Sequence, residues 1–389
     1  MIDKIHIKNF KSIVDLKLDL GRFNVIIGSN GSGKTNILEA ITLASIASQD
    51  KLDMEFLANR DVRMPEPQFM FNAFSDVEND ENNESKMPFI TVDVTSKPKL
   101  NTSVLIGYAE NLKKWINFGN SVNKLKIKRA FERYEENTGS TLEILHDDDF
   151  DILDLDKKYP DIFNKLKVSL IDKPDLYSFI VYRPTESHLR KTFDTRMYPF
   201  GVNGEGLLRY LKDLGEESTG LFKEINNGLH LLDWFDKLSI PEGLLSNEYS
   251  LSISDKYLKD SMRSFDQRST NEGFLYLLFY LTLFNSKDSP QFFAVDNIET
   301  SFNPKLCTKL TEYLVESVIR NDKQVILTTH SPYVLDGLDL SDDNIRLFVA
   351  RRNIDGHTRL ERIEYREGRN MLLSELWMSG LIGGLPDNF

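Results

Sequence analysis

The sequence predicts an α/β fold, in which buried strands lie next to buried helices and carry polar residues at their ends. Three apolar runs favour this class: Phe23 to Ile27, Gln291 to Val295 and Gln324 to Thr328. The first leads through a glycine-rich loop into a second apolar stretch, and the other two end directly before Asp296 and shortly before His330. In open α/β sheets, ligands bind at the carboxyl ends of the strands. These polar positions are therefore the first candidates for a binding site.

The glycine-rich loop fits the pattern G-x-x-x-x-G-K-[ST] between a predicted strand and a predicted helix. Its glycines allow positive φ angles, so that backbone N–H groups turn inward and join the amides of the following helix around an anion. Lys34 is expected to reach the β- and γ-phosphates and Thr35 to ligate Mg²⁺. Nucleotide binding is favoured over a glycine-rich turn with an incidental lysine. The predicted nucleotide-binding residues are Gly28, Ser29, Asn30, Gly31, Ser32, Gly33, Lys34, Thr35 and Asn36.

Composition indicates a globular chain of 389 residues with 40% hydrophobic residues and a formal net charge of −12. This acidic balance does not imply a surface built to grip nucleic acid, although a local basic groove stays open. The single cysteine, Cys307, lies on an apolar helical face and is expected to be a buried hydrophobe. The start lacks a signal-peptide pattern, and the longest apolar run, Phe274 to Phe284, is shorter than the ~20 residues that span a bilayer. We expect a cytoplasmic protein without membrane contact.

The opening Ile-His-Ile-Lys-Asn-Phe-Lys-Ser-Ile, together with the phosphate loop after it, resembles the head domains of the SMC, RecF and OLD ATPases. The resemblance implies a P-loop NTPase of the ABC/SMC-head type, with ATP and Mg²⁺ as ligands and a two-lobed mixed sheet. In those families the Asn-Phe-(Lys/Arg)-Ser corner lies beside the nucleotide. Lys11 is therefore either an accessory nucleotide contact or a solvated lysine after a strand.

The chain is predicted to divide into three parts. Residues 1–98 form an N-terminal lobe with the phosphate loop, residues 99–195 a mostly helical insertion, and residues 196–389 a C-terminal lobe. The insertion is too short, and lacks the sustained heptads, for an SMC-type coiled-coil arm. Its one basic cluster is by default a solvated face and alternatively a nucleic-acid or partner contact: Lys124, Lys126, Lys128, Arg129 and Arg133.

A second group of residues resembles the signature of ABC-type ATPases. Ser269 to Gly273 precedes an apolar helix, and in that family a Ser-x-Gly signature opens such a helix and binds the γ-phosphate held by the other subunit. Aligning Gly273 with the signature glycine puts Asn271 where Ser is usual. The helix N-terminus can still donate amides to an anion. Ser301 falls where the family's D-loop touches the opposite protomer.

Asp296 follows its apolar run in the position expected for the Walker B carboxylate, which holds Mg²⁺, here through water. ABC-type heads usually carry Glu at the next position, but this chain has Asn297, and an amide cannot accept a proton from water. Either Glu299 serves instead, or the protein hydrolyses ATP slowly and uses it chiefly as a clamp. His330 resembles the switch histidine that senses the γ-phosphate. The predicted catalytic residues are Lys34, Glu299 and His330.

The resemblance extends to the AAA_21 group and to ATPases of bacterial anti-phage systems, such as PtuA-like and AriA-like proteins, on the runs around Asp296 and His330 and on the tail Gly-Gly-Leu-Pro-Asp-Asn-Phe. It implies a homodimer around two ATP, or a higher oligomer, that is the sensor or scaffold subunit of a defence system and controls a separately encoded effector, a toxin or nuclease. Two alternatives remain: a RecF-like DNA-repair ATPase that clamps DNA, and a non-catalytic assembly module with ATP as a structural ligand.

Overall fold

The computed structural model describes residues 1–49, 51–63, 66–72, 89–96, 100–109, 113–117, 175–191, 199–215, 219–245, 248–259, 264–368 and 371–385. In these ranges the strands are β1 Ile2–Phe10, β2 Ile13–Asp19, β3 Phe23–Ile27, β4 Ile90–Ser96, β5 Leu100–Ala109, β6 Lys114–Asn117, β7 Val181–Tyr182, β8 Phe235–Ser239, β9 Ser252–Asp255, β10 Ser264–Phe265, β11 Phe292–Val295, β12 Gln324–Thr328, β13 Ile345–Arg352 and β14 Thr358–Ile363. The helices are α1 Lys34–Ser48, α2 Met54–Asn59, α3 Glu186–Leu189, α4 Leu207–Leu214, α5 Thr219–Leu229, α6 Glu272–Asn285, α7 Pro304–Arg320 and α8 Leu373–Met378.

A six-stranded sheet in the order β14-β13-β3-β12-β11-β7 carries the three predicted apolar runs as neighbouring strands. β13, β3, β12, β11 and β7 are parallel, and β14 returns antiparallel to β13. Because the parallel strands share one direction, the loops after β3, β12 and β11 leave the same edge of the sheet. The sequence prediction of an α/β fold with a mixed sheet is confirmed.

Alternate residues of β3 serve two different cores. Val25 and Ile27 pack in a cluster with α4, α5, α6 and α7, whereas Ile26 packs on the opposite face with α1 and the N-terminal sheet. This division follows from the two-residue period of side chains along a strand. Helix α1 has apolar residues around its whole circumference because it lies between two sheets, and all residues from Ile37 to Ala47 are buried.

The N-terminal sheet is antiparallel, with five strands in the order β2-β1-β4-β5-β6. β5 and β6 continue this sheet through residue 117, beyond residue 99, where the insertion is predicted to start. In β5 the buried residues Val104 and Ile106 alternate along the strand. The sequence alone does not distinguish this alternation from the periodicity of a helix. The other described end of the predicted insertion contributes β7 to the central sheet.

The predicted basic cluster between Lys124 and Arg133 lies outside the described residues, as do 118–174 in general and the last four residues. In the part of the chain that the structure describes, no helix is both long and apolar enough to cross a bilayer. A three-stranded antiparallel sheet, β10-β9-β8, completes the described architecture.

Candidate nucleotide-binding site

The phosphate loop joins the carboxyl end of β3 to the N-terminus of α1, as predicted. Gly28, Gly31 and Gly33 have φ angles of 148°, 77° and 103°. The space is as restrictive as the backbone: a Cβ at Gly33 would lie 2.1 Å from Thr358 Oγ1, and one at Gly28 would lie 2.2 Å from a main-chain oxygen of β13. The loop therefore lies in close contact with the β13–β14 hairpin. Glycine is required at both ends of the loop because a side chain would collide with the hairpin and because the φ angles are positive.

Lys34 opens α1 with its side chain folded back over the loop. Its Nζ donates hydrogen bonds to the carbonyl oxygens of Gly28 at 2.7 Å and Ser29 at 3.1 Å, and the residue is only 6% exposed. Burial lowers the pKa of the Lys34 amine to about 8, against the opposing influence of the carboxylates of Asp296 and Glu299. The ammonium group is thus held within the loop, where an anion would replace its weak carbonyl partners.

Asp296 lies at the carboxyl end of β11 and is nearly buried. One carboxylate oxygen accepts a hydrogen bond from Thr328 Oγ1, and the other accepts one from Arg183 Nε at 3.0 Å. Thr328 also accepts a hydrogen bond from the backbone N–H of Asn297 at 3.0 Å, through the same hydroxyl oxygen. The turn after β11 is thereby fixed to the end of β12, and the Asn297 side chain is left exposed with a φ of 59°.

Glu299 and His330 meet across the ends of β11 and β12. The backbone N–H of His330 donates to Glu299 Oε1 at 2.8 Å. The other oxygen, Oε2, is buried and has no hydrogen-bond partner among the described residues. Burial lowers the pKa of His330, the charge of Lys34 acts in the same direction, and Glu299 and Asp296 oppose both. The imidazole is therefore neutral near pH 7.

These contacts bring together four of the predicted residues. Lys34 from the phosphate loop, Asp296 and Glu299 after β11, and His330 after β12 influence one another's electrostatics although the chain separates them by up to about 300 residues. The sheet order explains the assembly, because β3, β12 and β11 are adjacent and parallel. Their roles toward a nucleotide stay predictions.

The site fits a triphosphate and a magnesium ion. The buried hydroxyl of Ser32, in the middle of the loop, has no hydrogen-bond partner among the described residues, as expected of a group reserved for an anion. The oxygen donors predicted for the metal, the Thr35 hydroxyl and the Asp296 carboxylate, suit a hard cation. The described residues hold no cluster of three or more His, Cys, Asp or Glu that could bind a metal by itself. Mg²⁺ commonly takes one or two protein ligands beside substrate phosphates, so this donor set is adequate.

Asn271 and Gly273 lie elsewhere, in an open cavity of about 590 Å³ that we call the signature cavity. Asn271 caps α6, accepting a hydrogen bond from the Phe274 N–H at 2.8 Å. Ser301 Oγ donates to Glu272 Oε2 at 2.8 Å, and the Ser301 carbonyl oxygen would lie 3.2 Å from a Cβ at Gly273. The described lining includes Trp234 and Lys305 but no residue of the phosphate loop. The predicted signature and D-loop residues therefore form one surface.

Two residues near the loop have structural partners. Lys11 Nζ donates to the buried carboxylate of Glu39 at 2.7 Å and to the Arg63 carbonyl oxygen at 3.0 Å, so the structure favours neither of its two predicted roles. Asn36 Nδ2 donates to Ser12 Oγ at 2.7 Å. Both contacts tie α1 to the corner between β1 and β2.

Sequence reasoning missed Arg183 and Thr358. Arg183 follows β7 and reaches Asp296, and the only sequence signal was a basic residue at the end of a short apolar run. Thr358 begins β14, and its hydroxyl contacts Ser12 Oγ at 2.7 Å and the carbonyl oxygen of Ser32 at 3.2 Å. No local pattern marks a threonine that supports a loop more than 320 residues away.

Comparison with solved structures agrees with this fold. The chain is similar to the crystal structure of the SmcHead bound to the C-winged helix domain of ScpA, with a TM-score of 0.55 and 14% identity over 95% of this chain and 99% of that one. Together, the fold and the phosphate loop define a P-loop NTPase of the ABC/SMC-head type.

Residues 1–199, just over half of the chain, match the family described as AAA ATPase domain, and the chain belongs to this family. Residues 240–336 match a second family, described as "AAA domain, putative AbiEii toxin, Type IV TA system". The family match and the fold are thus those of an AAA-type ATPase domain with the architecture of an SMC head.

Two curated relatives have partial matches. The chain is 25% identical over 239 residues to the DNA replication and repair protein RecF of Clostridium botulinum, a match that covers 61% of this chain and 49% of that protein. It is 54% identical over 44 residues to protein MJECL10 of Methanocaldococcus jannaschii, covering 11% of this chain and 20% of the relative. The matches span about half or less of the length of these relatives.

Proposed function

We propose that the chain binds ATP with Mg²⁺ at the phosphate loop and hydrolyses it slowly. The observation that carries the proposal is the convergence of Lys34, Asp296, Glu299 and His330 at the ends of three adjacent parallel strands. Lys34 binds the β- and γ-phosphates, Thr35 and Asp296 hold the metal, and bound Mg²⁺ would neutralise charge on the phosphate oxygens.

In this proposal Glu299 is the residue that accepts the proton of the attacking water. Its Oε2 is buried without a described partner, and its Oε1 is fixed by the His330 N–H, so the free oxygen has a defined position. Neutral His330 can donate a hydrogen bond to the γ-phosphate without adding a charge. Asn297, an exposed amide, orients water at most. A base displaced by two residues from the usual position is consistent with slow turnover.

We further propose that two copies of the chain share each nucleotide. The support is spatial: Asn271, Gly273 and Ser301 line the signature cavity, whose described lining contains no phosphate-loop residue. If these residues bind a γ-phosphate, that phosphate belongs to a nucleotide on another copy. The N-terminus of α6 would supply amides to it.

As a biological role we propose the sensor or scaffold subunit of an anti-phage system that controls a separately encoded effector. Two features support this role: the resemblance of the runs around Asp296 and His330 to defence ATPases, and the mention of a toxin–antitoxin system in the description of the family matched by residues 240–336. Purification from the native host with and without ATP tests it. ATP-dependent recovery of the neighbouring gene product is the expected result, and recovery of the protein alone under both conditions contradicts it.

Phosphate release measured on three proteins tests the enzymatic part. Wild type is expected to turn over ATP, Lys34→Ala to lose nucleotide binding and turnover, and Glu299→Gln to bind ATP normally but lose about 10²-fold or more in turnover. The matched controls are Lys17→Ala and Glu364→Gln, both at exposed positions. An ATP-filled oligomer whose phosphate release does not depend on Lys34 would instead favour the non-catalytic assembly module.

RecF-type DNA clamping is the second candidate, and the RecF matches favour it. It predicts DNA affinity that requires ATP and falls steeply with salt, because each neutralised phosphate releases counterions. The net charge of −12 opposes this candidate. Equal DNA binding with and without ATP would exclude it.

A further inference from the structure

Arg183 lies beside the predicted metal carboxylate for reasons that the sheet explains. β7 is parallel to β11 with Tyr182 opposite Val295, and the N–H of Asp296 donates to the Tyr182 carbonyl oxygen at 3.0 Å. The residues that follow these two positions, Arg183 and Asp296, therefore leave the sheet at the same level. The N–H of Arg183 is also fixed, to the Val202 carbonyl oxygen at 2.7 Å.

The guanidinium group of Arg183 is only partly satisfied by the protein. Nε donates to Asp296 Oδ2 at 3.0 Å, and Nη1 donates to Asp61 Oδ2 at 2.8 Å and to the Asp61 carbonyl oxygen at 3.3 Å. The third nitrogen, Nη2, is buried and has no hydrogen-bond partner among the described residues. A buried donor without an acceptor costs free energy, and a charged donor costs more than a neutral one. The two carboxylates fix the plane of the guanidinium group, so Nη2 has a fixed position as well.

The position of Arg183 in the sheet order suggests which ligand would satisfy Nη2. In the order β3-β12-β11-β7, the phosphate loop follows β3 and Arg183 follows β7. Asp296, Glu299 and His330 follow the ends of the two strands between them. A phosphate chain that starts on the loop and extends toward the carboxylates approaches Arg183 with its terminal group. Arginine is well suited to phosphate oxygens because its N–H groups form a rigid planar fork.

We propose that Arg183 is a nucleotide-binding residue that selects nucleoside triphosphates over diphosphates: its Nη2 donates to the terminal phosphate, while its Nε keeps Asp296 in place. This inference rests on the proposed function, because it requires a nucleotide in the phosphate loop. It adds a fixed positive charge at the side of the site opposite Lys34. In nucleotide-free protein the same charge compensates the Asp296 carboxylate, which is 9% exposed.

The test is the ratio of affinities for the non-hydrolysable analogue AMP-PNP and for ADP, measured by calorimetry in the presence of Mg²⁺. Arg183→Gln is expected to weaken AMP-PNP about tenfold while ADP changes by less than about twofold. Arg183→Lys is expected to weaken AMP-PNP by an intermediate factor. The lysine ammonium group keeps the charge but lacks the planar fork that can donate to Asp296, Asp61 and a phosphate oxygen at the same time. Equal losses for the two nucleotides, or no loss for either, would overturn the proposal.

Two controls separate this role from a structural one. Asp61→Asn keeps a side-chain oxygen that can accept from Nη1 and retains the contact of Arg183 with Asp296, so the plane of the guanidinium group is kept and the AMP-PNP to ADP ratio is expected to stay within about twofold of wild type. Arg22→Gln breaks another arginine–aspartate pair, Arg22 to Asp322 at 2.7 Å, at the opposite end of β3, and leaves both affinities unchanged. If Asp61→Asn lowers the ratio as much as Arg183→Gln does, the effect comes from the Arg183–Asp61 ion pair as a structural element, and the proposal fails.

Lys34→Ala distinguishes failure of the inference from failure of the proposed function. Wild type that binds neither nucleotide, or binding that does not depend on Lys34, contradicts the nucleotide site as a whole and this inference with it. Binding that requires Lys34 but has the same AMP-PNP to ADP ratio in wild type and Arg183→Gln contradicts the role of Arg183 alone. Circular dichroism melting confirms in each case that the variant is folded.

Discussion

The phosphate loop and the signature cavity differ in how far each is completed by its own chain. In the loop, Lys34 is buried and bonded to carbonyl oxygens of its own turn, and a Cβ at Gly33 would collide with Thr358. In the cavity, the glycine is less tightly enclosed, because a Cβ at Gly273 would lie 3.2 Å from the Ser301 carbonyl oxygen. The exposed Ser301 hydroxyl donates a hydrogen bond to Glu272. The loop is thus built before a ligand arrives, whereas the cavity is an open surface that suits docking of something else.

This difference indicates a division of labour. A preformed loop binds its ligand with no change beyond the exchange of the carbonyl partners of Lys34, so we expect nucleotide affinity to be a property of one chain. An open surface with polar groups at a helix N-terminus contributes only when a second molecule brings an anion to it. We therefore expect mutations in the loop to change nucleotide affinity, and mutations in the cavity to change turnover without changing nucleotide affinity.

Gly33→Ala gives the largest expected effect because it tests whether the loop is rigid. The new Cβ would lie 2.1 Å from Thr358 Oγ1 at a φ of 103°, so the variant is expected to lose about 3 kcal/mol of unfolding free energy together with detectable nucleotide binding. Gly31→Ala is the matched control: its φ is 77° but nothing lies within 4 Å, so only the left-handed backbone cost of about 1 kcal/mol is expected. Urea unfolding and calorimetry measure both. Equal losses for the two variants would show that the hairpin does not hold the loop.

The pH dependence of nucleotide affinity tests the electrostatics of the loop. The pKa of Lys34 is lowered to about 8 in the nucleotide-free protein, and a triphosphate requires the protonated amine. Binding therefore takes up a proton above that pH, and the affinity for AMP-PNP is expected to fall about fivefold between pH 8 and 9 while staying nearly level between pH 7 and 7.5. In Lys34→Arg the side chain stays charged over this pH range, so the fall of AMP-PNP affinity with pH is expected to disappear, although the AMP-PNP affinity itself is lower than in wild type. A slope that persists in Lys34→Arg assigns the titration to another group.

The sequence predicted the phosphate loop residue by residue because the motif is local: spacing alone fixes Gly28, Gly33 and Lys34 relative to a strand and a helix. It also predicted that Asp296 directly follows one strand and that His330 lies just past the end of another, since apolar runs mark those strands. It could not predict that Arg183 faces Asp296, because this contact depends on β7 being the neighbour of β11, and a two-residue strand carries almost no periodicity.

The sequence shows that Asn297 stands where the resemblance predicts glutamate, but it does not reveal the backbone conformation of this residue. The residue has a φ of 59°, a left-handed conformation that asparagine tolerates better than most residues with a side chain. Its N–H is bonded to Thr328, so this conformation is tied to the neighbouring strand. The structure thus gives a backbone reason for asparagine at the position where the resemblance predicts glutamate. The carboxylate of Glu299 nearby has an oxygen without a hydrogen-bond partner among the described residues.

Substitution of Asn271 gives the smallest expected effect and addresses the cavity alone. Asn271 caps α6, so Asn271→Ala is expected to cost about 1 kcal/mol of unfolding free energy, whereas Asn271→Ser keeps a good capping group. Neither variant touches the phosphate loop, so the affinity for AMP-PNP measured at low protein concentration is expected to stay unchanged in both.

Turnover at high protein concentration then separates the two variants of Asn271. If the cavity binds the phosphate of a second copy, Asn271→Ala is expected to lower turnover about fivefold through the less ordered helix N-terminus, and Asn271→Ser to match or exceed wild type because a hydroxyl can both cap the helix and donate to an anion. The dependence of the specific rate on protein concentration provides the control, since a rate that requires two copies rises with concentration. Unchanged turnover in both variants, with no concentration dependence, would mean that the phosphate loop acts without the cavity.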